Sequence, residues 1–199
     1  MSIQHAAHRW TYEAFARLPD DGQRYEVIGG ELFVTPAPKP IHAKIATRIS
    51  RVLEEFVETH ALGEVFGHAI DIVFGEGDYL EPDLLFVSRE RMSIVTDRGV
   101  EAAPDLVVEV LSPTTAARDR RLKRERYAFF GVREYWLVDP VARRFEIYRQ
   151  TDVGSHDATI TTESFQWQPV KDGPVLTLNV PDLLRDMISA DEPVHPTDQ

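Results

Sequence analysis

Residues 104–113 read PDLVVEVLSP, and this stretch decides the fold. Leu106, Val107, Val108, Val110 and Leu111 are apolar at odd and even positions alike, so a strand from Leu106 to Leu111 is covered on both faces and lies in the middle of a sheet. Glu109 interrupts it. An isolated ionised carboxylate in an apolar interior costs many kcal/mol unless it is paired or bound to a cation. Glu109 therefore has two readings, a buried salt bridge with a nearby arginine or a divalent-metal site.

Downstream, Ser112-Pro113-Thr114-Thr115 breaks the strand and offers hydroxyl caps to a helix over residues 117–130, which Gly131 closes. EYWLV (134–138) is a further strand, turned at Asp139-Pro140 and paired back through Arg144 to Tyr148. Upstream, PDLLFVS at 82–88 echoes the central stretch, and strands are expected over His68 to Phe74 and Leu80 to Val87, joined by a turn at 75–78. Ile41, Ile45, Ile49, Val52 and Phe56 repeat at helical spacing, predicting an amphipathic helix to about His60 that Gly63 ends. Pro36, Pro38 and Pro40 hold an extended connection before it. YEVIGGELFV (25–34) is a hairpin around Gly29-Gly30. Residues 151–180 read as edge strands, Asp182 to Ile188 as a last helical turn or two, and 189–199 as a disordered polar tail. The expected fold is a single α/β domain over 1–188, a central mixed β-sheet flanked by helices with additional C-terminal strands.

The 199 residues are 43% apolar, enough for one core, and contain no cysteine, which excludes disulfides, thiolate zinc sites, iron–sulfur clusters and a cysteine nucleophile. No run approaches the ~18 apolar residues of a membrane span, and MSIQHAAHRW lacks the apolar core of a secretion signal, so a cytoplasmic protein is expected. The net charge of −11 argues against a surface that binds polyanions. Residues 112–150, however, hold ten Lys or Arg against five acids, a local +5 within an otherwise acidic body.

Two aspartates compete to partner Glu109. Asp105 lies four residues before it, about 13 Å along an extended strand, too far for one metal. Asp83 opens a strand that can lie alongside, whereas Asp105 reads as a turn residue leading into its strand. In the helix over 117–130, Asp119, Leu122, Lys123, Arg126, Tyr127 and Phe130 share one face. Lys123 could reach the carboxylates and steady developing phosphorane charge, or be a solvated lysine paired with Asp119. His42, in the first turn of the earlier helix, reads by itself as a packed or capping residue. Glu26 and Glu31 in the first hairpin are further candidate acids, each read first as an exposed hairpin residue. Arg118, Arg120, Arg121, Arg124 and Arg126 could hold flanking phosphates or form a solvated face. Tyr135 and Trp136 belong to the core.

From YEVIGGEL through His42, EPDLLFV, LVVEVLSP, Asp119 with Lys123 and GVREYWLVDP, the chain resembles the Uma-two family of bacterial proteins over roughly residues 11–185. That family belongs to the restriction-endonuclease-like superfamily, whose motif is proline, acid, acid and lysine. The resemblance implies a restriction-endonuclease-like core, Mg²⁺ (or Mn²⁺) held by Asp83 and Glu109, and hydrolysis of phosphodiester bonds in nucleic acid, DNA foremost. The motif lysine is replaced by Leu111, two residues past Glu109, so the resemblance makes Lys123 its carrier. His42 stands near the position of the superfamily's helix-borne acid. The implied catalytic set is Asp83, Glu109, Lys123 and His42, with nucleic acid as partner and a homodimer as one way to cut a duplex. An inactive nuclease-like binding or assembly module is the alternative, favoured by Leu111 and the acidic net charge. A glycosidase using the same acids would need exposed aromatics along a groove, and Trp10, Trp136 and Trp167 do not cluster in sequence.

Overall fold

The computed structural model describes residues 10–67, 70–75, 77–150 and 158–186. After a short helix α1 (Tyr12–Phe15), strands β1 (Arg24–Ile28) and β2 (Glu31–Thr35) form the expected hairpin. Gly29 and Gly30 turn it at φ of 62° and 89°, the left-handed region that glycine enters at no steric cost. Helix α2 (Pro40–Thr59) buries the stripe Ile45, Ile49, Leu53 and Val57.

Four short strands follow: β3 (Gly63–Gly67), β4 (Ile72–Gly75), β5 (Asp78–Leu80) and β6 (Leu84–Ser88). After a 3₁₀ helix (Arg89–Ile94) come β7 (Val95–Thr96), β8 (Gly99–Val100) and the central β9 (Leu106–Val110). Helix α3 then runs over Ala116–Phe130: a turn Ala116–Arg118, a π segment Asp119–Lys123 and the α-helix Arg124–Phe130, capped by Gly131 at φ 87°. Beyond it lie β10 (Glu134–Asp139), β11 (Arg144–Arg149), β12 (Ala158–Thr161), the hairpin β13 (Ser164–Trp167) with β14 (Leu176–Asn179), and a closing turn at Val180–Leu183.

Among the described residues these strands form two six-stranded sheets and the separate hairpin β13–β14. One sheet runs β2-β1-β5-β4-β8-β7, the other β12-β11-β10-β9-β6-β3. β9 pairs parallel with β10 and antiparallel with β6, so the second sheet is mixed and β9 is interior to it. Its alternation explains the apolar run. Leu106, Val108 and Val110 face a core built with Ile45, Ile49 and Leu53 of α2 and with Phe165 and Trp167 of the hairpin. Val107 and Leu111 face a second core shared with Tyr127, Tyr135 and residues of the first sheet, Ile28, Ile72 and Leu80. Glu109 alternates onto this second side.

Three expectations are corrected. Leu80 to Val87 is not one strand: β5 lies in the first sheet and β6 in the second, with Glu81-Pro82-Asp83 crossing between them. Pro82 has no N–H to give a ladder and restricts Glu81, so the break falls there. Gly63 does not end the helix; α2 stops at Thr59, and Gly63 opens β3, where a Cβ would lie 2.1 Å from the Val87 carbonyl oxygen. The expected strand His68 to Phe74 shortens to Ile72–Gly75, with His68 and Ala69 outside the described residues. The polar tail 189–199 also lies outside them.

Candidate active site

The crossing from β5 to β6 and the end of β9 build one pocket. The β6–β9 ladder ends at Leu84 opposite Val108, and one step further out stand Asp83 and Glu109. Asp83 replaces a backbone acceptor: its Oδ2 accepts from the Val110 N–H at 2.7 Å, which locks the carboxylate against the neighbouring strand. His42 Nε2, from the first turn of α2, lies 3.1 Å from the same oxygen, and Arg24 Nη1 of β1 donates to Oδ1 at 2.9 Å. Burial would raise the Asp83 carboxyl, but the His42 bond, the Arg24 charge and the Val110 N–H outweigh it and hold the group well below the usual carboxylate range.

Glu109 is in a different electrical position. Lys123 Nζ donates to its Oε1 at 2.7 Å, and the Tyr127 hydroxyl donates to the same oxygen at 3.1 Å. Burial is the dominant influence and pushes Glu109 up to about 8, helped by Asp83, Asp119 and Glu26 and opposed by Lys123. Two carboxylates on adjacent strands thus differ sharply in proton affinity, a pattern common at reactive sites.

Lys123 is 2% exposed and sits among three acids: Glu26 Oε1 at 2.6 Å, Glu109 Oε1 at 2.7 Å and Asp119 Oδ1 at 4.0 Å. Burial alone would lower its ammonium, but those three charges raise it, so it is a permanent cation. The π segment supplies both Asp119 and Lys123, each buried; wide turns of this kind recur at functional sites. Sequence spacing left Lys123 open between a solvated pair with Asp119 and a reach to the sheet. The structure puts it on Glu109, with Asp119 as the more distant neighbour.

Glu26 corrects an expectation. It is 2% exposed rather than an exposed hairpin residue, and besides Lys123 it takes Arg118 Nη2 at 3.2 Å and the Glu81 N–H at 3.1 Å. The available signal was Ile28, two residues on and therefore on the same face of β1, which is part of the second core. Glu31 is exposed, as its hairpin position suggests. Arg24 was likewise not singled out, although it bridges Asp83 and Glu81. Asp105 is structural: it accepts the Ser88 N–H at 2.8 Å and pairs with Arg91 and Arg133.

The arginines of α3 divide. Arg118 lines the pocket between Glu26 and Thr35. Arg120 points elsewhere and is held by Asp139 and Glu146, and Arg126 forms a two-pronged pair with Asp78. Arg124 lies over the Tyr148 ring at 5.2 Å, and Arg121 is exposed. Only Arg118 of this set is in the pocket, whose cavity of about 330 Å³ also holds Asp83, Glu109, Lys123, His42 and Glu26.

The donor set is all oxygen, which suits a hard divalent cation. Three buried polar atoms of the pocket, Asp119 Oδ1, His42 Nδ1 and Arg118 Nε, have no hydrogen-bond partner, and four acids face three permanent cations, Arg24, Arg118 and Lys123. Among the described residues no three acidic or histidine side chains converge in ligating geometry. The carboxylates lean instead on Lys123 and Arg24.

Comparison with known proteins agrees with the fold. A family model described as "Uma2: Putative restriction endonuclease" matches residues 12–181. A crystal structure of a "putative nuclease belonging to DUF820" from Anabaena variabilis superposes with a TM-score of 0.68 at 22% identity, covering 86% of this chain and 96% of that one. An "Uncharacterized protein sll1609" of Synechocystis is 24% identical over 133 residues, which is 64% of this chain and 73% of that protein. No helix among the described residues is long and apolar enough to cross a membrane.

Proposed function

Because the chain belongs to the Uma2 family, we propose that it is a metal-dependent nuclease that hydrolyses phosphodiester bonds of nucleic acid, DNA foremost. One observation carries this: Asp83 and Glu109, buried side by side at the end of adjacent strands, share a pocket with a buried lysine 2.7 Å from Glu109. Asp83 and Glu109 would hold Mg²⁺ or Mn²⁺. Such an ion supplies a lowered pKa for bound water and neutralisation of charge at the scissile phosphate.

The chain's own side chains do the rest. Lys123, fixed by Glu26 and Glu109, presents a cation that cannot drift, so it stabilises charge developing on the phosphoryl oxygens with little reorganisation. Glu26 is a positioning residue: it holds Lys123 through one oxygen and Arg118 through the other. Tyr127 is raised by burial, stays protonated and keeps its hydroxyl on Glu109. His42 and the Val110 N–H orient Asp83 from the other side. Arg118, the arginine of α3 inside the pocket, is placed to receive a non-bridging phosphate oxygen.

The test is a plasmid-nicking assay with Mg²⁺ or Mn²⁺ on wild type, Glu109→Gln and Glu26→Gln. Nicking that requires metal and Glu109, and that is slowed without loss of folding in Glu26→Gln, supports the reading. Metal-independent nicking overturns it, as does the absence of cleavage of both plasmid and single-stranded DNA. A second reading, an inactive binding module, is favoured by one feature: Lys123 and Arg24 already occupy an oxygen of each motif acid, as they would in a purely structural knot.

A further inference from the structure

We propose that the site takes its substrate as a single strand or a locally unpaired nucleotide, seated between the proline-rich connection before α2 and the Pro140-Val141 turn. The inference rests on the nuclease reading and adds the substrate's form to it.

Depth is the first ground. Asp83 and Glu109 are 1% and 3% exposed, at the floor of a cavity of about 330 Å³. That is near the lower end of small-ligand sites, ~300–1,000 Å³. A duplex is stiff over ~50 nm and cannot fold its backbone into a narrow concave site without local bending or unpairing, each of which costs free energy. A single strand enters without that expense.

The walls are the second ground. Three separate connections meet at the mouth and contribute mainly apolar atoms: Pro36 and Pro38 before α2, Pro113 after β9, and Pro140-Val141 between β10 and β11. Val141 is 87% exposed, a branched apolar side chain held in water at the rim of a charged site. Apolar lips over a charged floor match a nucleotide, whose base is flat and apolar on its faces and whose phosphate is anionic. Base faces are sequence-tolerant partners.

Charge is the third. Gripping a duplex commonly uses ~6–10 phosphate contacts by free Lys or Arg. Here Arg120 and Arg126 are bound to Asp139, Glu146 and Asp78, and the chain carries −11. A single centre serving one strand also needs no second subunit.

The experiment measures fluorescence anisotropy of labelled DNA of about 16 nucleotides, single-stranded and as a blunt duplex, with the full chain in Ca²⁺. Cleavage of both is followed in Mg²⁺ or Mn²⁺. We expect the single strand to bind about tenfold or more tighter and to be cut correspondingly faster. Val141→Ser should weaken single-strand binding about tenfold, with an unchanged melting temperature because the side chain is exposed. Duplex binding as tight as single-strand binding, no binding of either, or no effect of Val141→Ser overturns the inference. Preferential single-strand binding without cleavage in any metal overturns the nuclease reading and leaves the inference standing.

Discussion

Lys123→Met is the most informative single change. Methionine keeps the unbranched stem and opens little cavity, so the loss is of charge. The ammonium lies 2.6 Å from Glu26 and 2.7 Å from Glu109, with Asp119 at 4.0 Å. Breaking a buried ion pair from one side costs about 3–5 kcal/mol, because the remaining charge is stranded. The lower end applies here, since Glu109 can escape by binding a proton: burial has already pushed it up to about 8 from its ordinary 4.5. The sign follows. With the folded value raised, the neutral acid is the form the fold favours, so the contribution of Glu109 to stability is full below about 4.5 and declines as pH rises through about 8. Without Lys123, which lowers the Glu109 pKa, that decline continues to higher pH and its total is larger. We expect a loss of about 3 kcal/mol at alkaline pH, ~6–12 °C in Tm for a chain of this size, and markedly less near pH 5. Urea unfolding at the two pH values measures it. Glu109→Gln introduced into Lys123→Met should recover part of the loss, a non-additive result. Equal losses at both pH values together with additive single mutants would show that Lys123 is not the counterion of Glu109, and the account of the site would fall.

Metal affinity should rise about tenfold per pH unit up to about 8 and level off above, because binding must displace the Glu109 proton; a flat profile by calorimetry contradicts the raised Glu109. Arg120→Ala should leave cleavage within about twofold and cost about 1 kcal/mol, since its partners Asp139 and Glu146 lie outside the pocket. A large loss of cleavage would make Arg120 a phosphate ligand after all. Gly63→Ala should destabilise by about 3 kcal/mol in thermal unfolding, since its Cβ would meet backbone at 2.1 Å with φ at 147°; a neutral result refutes the close approach of β3 to β6.

The central strand was legible because burial on both faces leaves a continuous apolar run, and a lone Glu in it is conspicuous. Asp83 followed from simple reach along an extended chain. The helix stripe of α2 and the Gly29-Gly30 turn are local signals and needed no tertiary information. Glu26 was obscured for the opposite reason. Its hairpin alternates like one with a wet face, and the groups that cover Glu26 come from the Glu81 crossing and from α3, the latter nearly a hundred residues later. The break at Glu81-Pro82-Asp83 was hidden because apolar residues continue on both sides of it, and only the pairing of β5 and β6 with different sheets separates them. Charge count could not tell a solvated arginine from one committed to Asp139 or Asp78, because the acids are remote in sequence.

A metal centre built on Asp83 and Glu109 is tested most directly by Mn²⁺ titration by calorimetry of wild type beside Asp83→Asn, with plasmid nicking on the same samples. Binding to wild type that disappears in the variant, accompanied by nicking that requires the metal, is the predicted result. Unchanged binding in Asp83→Asn, or nicking that persists without metal, would contradict a metal-dependent centre built on Asp83 and Glu109.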